Sequence, residues 1–288
     1  MIFNSTMDSF IPEWWSALLQ RSMNANAVVS SELCTNRDYE GDARSGNVVH
    51  INSLIDPTVS TYNGGTITTN RLSTSAVDLL IDQGDYFSFT LKDVERAQQV
   101  GNVAPTATAQ AGQKLVEASD LYVGSQMLAN AGTKGVALDI PATGNAGDAL
   151  YEQIVDEIIT VLDEAKIPED GRFLIVTPKV KATLLKSNRF LDASAYGSND
   201  PIFNGVVGRL AGFTVSMSTN LPRTSGTYTM DIIAGHSMAT TFAEQIEEVE
   251  NLRDPEDFGS IIRGLHVYGA KVIRPEALVT AKITVAAS

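Results

Sequence analysis

Basic runs, cysteine and charge of any kind are what this sequence has least of. Charged residues make up 19% of the chain, against about 25% in an ordinary globular domain. A protein of globular composition with so little charge often hides surface in contacts between subunits. Its 21 Lys and Arg are outnumbered by 34 Asp and Glu, for a net charge of −13. No run of five or more basic residues occurs. Proteins grip phosphate backbones by displacing counterions with Lys and Arg, so this balance argues against a nucleic-acid reader. The one cysteine, Cys34, excludes an intrachain disulfide framework and fits a reducing compartment. No apolar run reaches the roughly 18 residues of a membrane span. The opening residues, MIFNSTMDSFIPEWW, have no basic segment followed by an apolar core, so no signal peptide is expected.

Chemical signatures are missing too. His50, His236 and His266 lie far apart, each beside apolar residues. None belongs to an HExxH motif, and Cys34 has no partner for a zinc set. A structural role is expected for all three. There is no GxSxG nucleophile elbow. Gly205–Gly212 is glycine-rich, yet it lacks the Gly-Lys-Ser/Thr ending whose Lys and hydroxyl handle phosphate and magnesium. It reads as turns framing a strand at Phe213. From Glu244 to Asp257 there are seven acidic residues and one Arg. That run could hold a divalent cation through oxygen ligands, but it lacks the Asp-x-Asp-x-Asp-Gly spacing of a calcium loop. A solvated acidic face, or one that meets a basic neighbour, is the expectation. Residues 172–223 carry the opposite bias, with seven basic and two acidic groups. No catalytic, cofactor-binding or metal-ligating residue is assigned, and no enzyme is expected.

Apolar material, in contrast, is ample. Counting glycine in and tyrosine out, about 48% of the 288 residues are apolar, inside the globular range of roughly 45–50%. The length allows one large or two modest domains. Residues 1–40 read as an extended arm with a short helix opened by Pro12. Trp14, Leu18 and Arg21 share a face there with Trp15 and Leu19 beside it, and the tryptophans need somewhere to dock, on this chain or a neighbour. Asn47–Ile55 and Ala76–Ile81 are strand-like. The polar stretch Thr58–Ser75 between them has Gly64-Gly65 at its middle, as at a hairpin tip. Such a hairpin is marginal alone in water and must lean on another surface. Asp85–Phe89 alternates like a strand.

Helix signals follow. Thr90-x-x-Asp93 is a plausible capping box, and Pro105 predicts a bend or restart. Thr106–Asn130 predicts a helix of about 25 residues, nearly 40 Å long, with Leu115, Ala118, Tyr122, Ser125 and Ala129 along one face. Gly132, Gly135, Gly144 and Gly147 mark a loop. Asp148 is the expected N-cap of the next helix. Its apolar face is Leu150, Ile154, Ile158, Val161, Leu162 and Ala165, the clearest periodicity in the chain. Phe173–Thr177 predicts a buried strand, Thr177-Pro178 a helix start running to Leu185, and Phe213–Met217 and Met230–Ala234 further strands. Ile261-Ile262, His266–Tyr268, Lys271–Ile273 and Leu278–Val285 are strand-like. There is no tandem repeat.

The order of these parts resembles the major capsid (coat) proteins of tailed phages, with the Hong Kong 97 fold. Several phrases carry the resemblance. Phe10-Ile-Pro-Glu-Trp14 looks like the family's N-terminal arm. Gly84-Asp-Tyr-Phe-Ser-Phe89, followed by Lys92-Asp-Val-Glu-Arg-Ala-Gln98, looks like the strand leading into its spine helix. Gly205 to Gly212 with Phe213-Thr-Val and Ser218-Thr-Asn-Leu-Pro222 is similar to its axial segment. Arg263 to Glu276 is similar to its closing peripheral strand. The resemblance implies an α+β fold. Its parts would be an N-terminal arm (1–40), an extended β-hairpin loop with a return strand (41–91), a peripheral domain with the spine helix (92–144), an α/β axial domain (145–238), and peripheral return strands (239–288).

It also implies a structural subunit that assembles with itself, as hexamers and pentamers, into an icosahedral virion shell. The shell would form in the bacterial host cytoplasm and enclose double-stranded DNA without sequence-specific binding. Scaffolding, portal and decoration proteins would be its other partners, with no membrane and no cofactor. The Lys–Asn isopeptide crosslink of some members is assigned to no pair here. Two other readings stand beside it: an encapsulin-type nanocompartment shell with an enzyme cargo, and a soluble α/β enzyme with its site near Gly205–Gly212.

Overall fold

A computed structural model describes residues 27–39, 48–54, 61, 62, 64, 74–92, 103–141, 145–187, 206–221, 229–255 and 257–285. The helix expected after Pro12, Trp14 and Trp15, Gly65, and the segments 93–98 and 222–228 lie outside them.

Three sheets and one long helix make the architecture. β1 (Val48–Leu54) and β2 (Thr74–Leu80) form an antiparallel ribbon in which Val48 faces Leu80 and Leu54 faces Thr74. β3 (Gln83–Lys92), β10 (Gly259–Val272) and β9 (Thr240–Arg253) form a three-stranded antiparallel sheet with β10 in the centre. The third sheet has six strands in the order β4-β11-β8-β5-β7-β6. These are β4 (Thr133–Ile140), β5 (Arg172–Val176), β6 (Val206–Leu210), β7 (Phe213–Met217), β8 (Thr229–His236) and β11 (Leu278–Val285). β4 runs parallel to β11, and β5 parallel to β7. The sheet thus takes strands from three of the segments recognised in the sequence, since β11 pairs with β8 and β4 lies at the edge beyond β11.

β3 alternates half-buried and exposed residues along its whole length, which is why its pattern is legible. That alternation runs through Lys92, and Thr90 sits inside the strand opposite Ile261. Thr90 is therefore no helix cap: Phe87, Phe89 and Leu91 pack on Ile262 with Leu115 and Val116, and this burial keeps the chain extended.

The long helix, α1, is Val103–Asn130, 28 residues or about 42 Å. Pro105 falls in its first turn, where a missing N–H costs nothing, so the expected restart is a helix start. The expected face is rotated. Leu115 is buried, but so are Thr108, Val116, Ser119, Asp120, Val123 and Met127, whereas Ser125 and Ala129 are exposed. Three of those buried residues are polar, so no apolar stripe marks the buried side.

The expected loop between Gly132 and Gly147 is corrected. Thr133–Ile140 is strand β4, and Gly135 turns at φ 64° beside Thr280, whose hydroxyl accepts its N–H at 3.2 Å. The helix after it begins at Ala146, capped by Asn145, whose side-chain Oδ1 accepts from Gly147 N. Asp148 instead sits in the first turn and accepts from Asn145 Nδ2 (2.6 Å) and Ser187 Oγ (2.5 Å). α2 (Ala146–Ile154), a wide π-type turn (Val155–Ile159) and α3 (Thr160–Glu164) run on as one rod. Leu150, Ile154, Ile158 and Leu162 are fully buried along it, as expected, while Val161 is half-buried and Ala165 exposed. Buried Arg172 closes its C-terminal end, donating to Pro168 O (2.9 Å) and pairing with Asp163 (2.7 Å).

Thr177 and Pro178 open α4 (Pro178–Leu184) as N-cap and first residue. The Gly205–Gly212 reading needs one correction, since Val206–Leu210 is itself a strand. It pairs antiparallel with β7 through a two-residue turn at Ala211 (φ 45°) and Gly212 (φ 90°), the positive-φ pair of a type I′ hairpin. The largest core lies where the α2–α3 rod and α4 cover one face of the six-stranded sheet. A second lies between its other face and α1, and takes in Cys34, Phe242 and Tyr268.

Candidate functional site

The functional geometry lies in how extended segments are fixed and in what the surfaces present. No group of three or more His, Cys, Asp and Glu is placed to hold a metal ion among the described residues. None of the described helices is long and apolar enough to cross a membrane. Two open surface hollows stand out. One of about 240 Å³ lies between α1 and Met217–Asn220, and a polar one of about 550 Å³ borders Glu32 to Asp38.

The segment 27–39 is bolted to the body at three points. Asp120 of α1, fully buried, accepts from Ser30 N (2.9 Å), Ser30 Oγ (2.7 Å) and Val28 N (3.3 Å), and lies 3.4 Å from Asn220 Nδ2. One carboxylate thus ties together the arm, the helix and the loop after β7. Asn36 lies beside Thr241, with Asn36 N donating to Thr240 O (2.8 Å) and Phe242 N to Asn36 O (3.0 Å). Arg37 Nη1 pairs with Glu244 Oε1 at 2.7 Å, and its guanidinium lies 5.3 Å from the centre of the Phe242 ring.

Glu244 also faces the fully buried His266, Nε2 to Oε2 at 3.2 Å. Burial pushes the Glu244 carboxyl upward, but the His266 hydrogen bond and the Arg37 charge outweigh it and hold it below its usual value. His266 lies 4.9 Å from Tyr268, ring centre to ring centre. Tyr268 donates to Asp85 Oδ2 at 2.7 Å, and burial followed by that bond raises its phenol well above the ordinary range. Burial likewise raises the Cys34 thiol. Sequence reading missed all of these pairings, because partners such as Ser30 and Asp120 are 90 positions apart.

The three histidines do not converge. His50 is exposed on the ribbon, 2.6 Å from Asp78 on the facing strand. His236 is buried, with Nε2 2.6 Å from Asp170 O, and its Nδ1 accepts from Met238 N.

The ribbon is two-faced. Val49, Ile51, Leu79 and Ile81 pack on Ala243 with Tyr39, Val267 and Ile273. Val48 and Leu80, opposite each other, are exposed with His50 and Asp78 on the other face. Its base is pressed onto β10: a methyl group on Gly269 would sit 2.1 Å from the Leu80 carbonyl oxygen. On the outer side of the three-stranded sheet, exposed Tyr86 faces Leu265, and Arg263 pairs with Glu250. The acidic run forms much of β9 and the turn after it. Glu244, Glu250 and Asp257 find partners within the chain, in Arg37 and His266, Arg263, and Lys92 (2.8 Å). The Lys92 bond and the Phe258 N–H lower the Asp257 carboxyl.

A strapped arm, a two-stranded ribbon, a long helix under a three-stranded sheet and a mixed six-stranded domain define the Hong Kong 97 type of α+β fold. Residues 74–281 match the family described as phage capsid protein. A solved structure titled Mycobacterium phage Che8 is 31% identical over 88% of this chain and 90% of its own, with a TM-score of 0.69. The capsid of the cyanophage P-SCSP1u is 18% identical over 85% of each chain (TM-score 0.62), and a virus-like particle from Pyrococcus furiosus 15% identical over 94% and 99% (TM-score 0.57). No similarity to a curated protein reaches significance. The chain belongs to the phage capsid protein family. It is a major capsid subunit, a structural protein of the virion that assembles with copies of itself into the shell.

Proposed function

We propose that the shell built by this subunit encloses a phage double-stranded DNA genome without binding its sequence. The net charge of −13, with no basic run, carries this reading. Packed duplex slides and repacks against a wall that does not neutralise its phosphates, whereas Lys- and Arg-rich walls hold it. Hexamers and pentamers form the shell in the host cytoplasm, with scaffolding, portal and decoration proteins as partners. The arm (1–40) and the loop (41–91) reach neighbouring subunits. The segments 92–144 and 239–288 form the peripheral domain and 145–238 the axial domain, with β4 and β11 strapping the two together. One chain then makes many modest contacts that close by symmetry and act multivalently.

Negative-stain imaging of shells purified from phage-producing cells, with nuclease digestion before extraction, tests the reading. Shells containing nuclease-protected duplex DNA are expected. Shells filled with one co-purifying protein and no DNA would instead establish the nanocompartment reading. A soluble subunit that forms no shell and is stabilised by a nucleotide or metal in a melting screen would establish the enzyme.

A further inference from the structure

The edges of the two larger sheets are blunted in different ways. β9 carries Glu244, Glu247, Glu248 and Glu250, and charge along an edge discourages a further strand. β6 is broken by a register shift between Val206 and Gly208. β4 is blunted less by its own residues. Over Val136–Ile140 it pairs residue for residue with Ala281–Val285 of β11, and it carries one charge there, Asp139.

A side chain from α2 closes part of that edge. Leu138 and Ile140 pack with Leu150 and Ile154 of α2 in the largest core. Gln153, next to Ile154, is thereby held half-buried at the rim of the sheet beside β4. Gln153 Oε1 accepts from Asp139 N at 2.8 Å, and Gln153 Nε2 donates to Asp139 O at 3.0 Å. A primary amide offers an acceptor and a donor together. It makes with Asp139 the two bonds that a facing residue of an antiparallel strand would make. Since both Asp139 groups go to Gln153, they face away from β11, and Ala137, two residues earlier, faces the same way. Ala137 and Asp139 are both exposed.

We propose that Gln153 shuts the outer edge of β4 against the β4 strand of a second copy. The occupant follows from the strand itself. An edge that meets its own copy does so about a two-fold axis, which makes the pair antiparallel. With the axis at Ala137, a small side chain lies at the crossing and Asp139 stands opposite Gly135 of the copy, so the two Asp139 carboxylates stay apart. Two six-stranded sheets would then run on as one. Such open, regular edges are where folded chains join by mistake.

Gln153→Ala opens the edge. Its two bonds are made at the exposed rim, so urea unfolding of dissociated Gln153→Ala subunits stays close to wild type. Sedimentation of those subunits should give about twice the wild-type mass, as a two-fold pair requires. Gln153→Glu keeps an oxygen for Asp139 N and adds a charge at the edge, and should sediment as wild type does. Gln153→Ala at the wild-type mass would overturn the proposal. So would Gln153→Glu that pairs as fully as Gln153→Ala.

Ala137→Cys locates the contact. Cys34 is the sequence's one cysteine and is fully buried, so the introduced thiol is the accessible one. Facing residues of a hydrogen-bonded antiparallel pair have Cα atoms about 5.5 Å apart, within reach of a disulfide. Oxidation should link Ala137→Cys chains at least about tenfold faster when Gln153→Ala is also present than with Gln153 in place, because pairing raises the effective thiol concentration. Equal rates would overturn the proposal. Neither measurement involves shells, so failure here leaves the shell reading intact.

Discussion

Replacing Asp120 by Ala is expected to unfasten the arm at a measurable cost to the isolated subunit. The two short bonds, from Ser30 N at 2.9 Å and Ser30 Oγ at 2.7 Å, are the ones that count. Those from Val28 N (3.3 Å) and Asn220 Nδ2 (3.4 Å) are long and contribute less. A hydrogen bond to a charged group contributes about 1.5–3 kcal/mol net, and a buried donor left without a partner loses a similar amount. The two short bonds together therefore set a loss of about 3–6 kcal/mol. That is about a fifth or more of the stability of a typical domain, roughly 5–15 kcal/mol.

Asp120→Asn keeps Oδ1 as the acceptor for Ser30 N and Ser30 Oγ, and loses the acceptor only for the long bonds from Val28 N and Asn220 Nδ2. Its loss should be smaller, about 1–2 kcal/mol. Urea unfolding of dissociated subunits, followed by circular dichroism, reads both numbers. Hydrogen exchange at the Ser30 amide tells whether the arm opens before the body does. An Asp120→Ala subunit with an unchanged urea midpoint and slope would refute the reasoning, because the carboxylate would then not be holding the segment.

Three further outcomes are expected. The Glu244 carboxyl is held below its usual value of 4.5, so its pairing with Arg37 and His266 stabilises the fold fully above pH 4.5 and is lost as pH falls through the lowered value; melting temperatures between neutral pH and pH 3 should fall more steeply for wild type than for Glu244→Gln, and identical slopes would disprove the coupling. Replacing residues 55–73 by an Asn-Gly turn should leave a soluble subunit with near-normal unfolding that forms no shells, since the packed residues Val49, Ile51, Leu79 and Ile81 all remain; shells at wild-type yield would count against the loop's role. Raising salt, which shortens the screening length to roughly 3 Å at 1 M, should slow assembly followed by light scattering, and neutralising Glu247, Glu248 and Glu250 together should slow it in low salt and remove most of that dependence; a rate indifferent to both would leave the acidic run a solvated face.

How far the residues disclosed this structure depends on where each signal resides. Leu150, Ile154, Ile158 and Leu162 lie on one helical face in sequence and in space, so their helix was readable. β3 was readable because one side of it is wet and its residues alternate. α1 was readable as a helix but not in phase, since its buried side contains Thr108, Ser119 and Asp120 as well as apolar residues. β4 was lost because glycines at 132, 135, 144 and 147 look like a loop, and only the distant β11 makes Thr133–Ile140 a strand. The fastenings of the arm depend on partners such as Arg37 and Glu244, 207 positions apart, which no local pattern encodes. The phrases behind the capsid resemblance that lie within the described residues fall on β3, on the β6–β7 hairpin, and on β10 with the turn after it.

The place of β11 in the six-stranded sheet constrains how the subunit comes into being. Synthesis runs from the N-terminus, so β4, complete at Ile140, waits for a partner that begins only at Leu278. Until then the hydrogen-bonding edges of β4 and β8 that β11 will join both lie open, with the β5–β8 layer on one side of the gap. The three-stranded sheet waits in the same way, because β10 must enter between β3 and β9. Both sheets are therefore closed by late strands, and contacts of such sequence separation form slowly. A nascent chain on the ribosome has its ribbon and long helix before it has a body to present them. The open strand edges make this interval the one most exposed to aggregation.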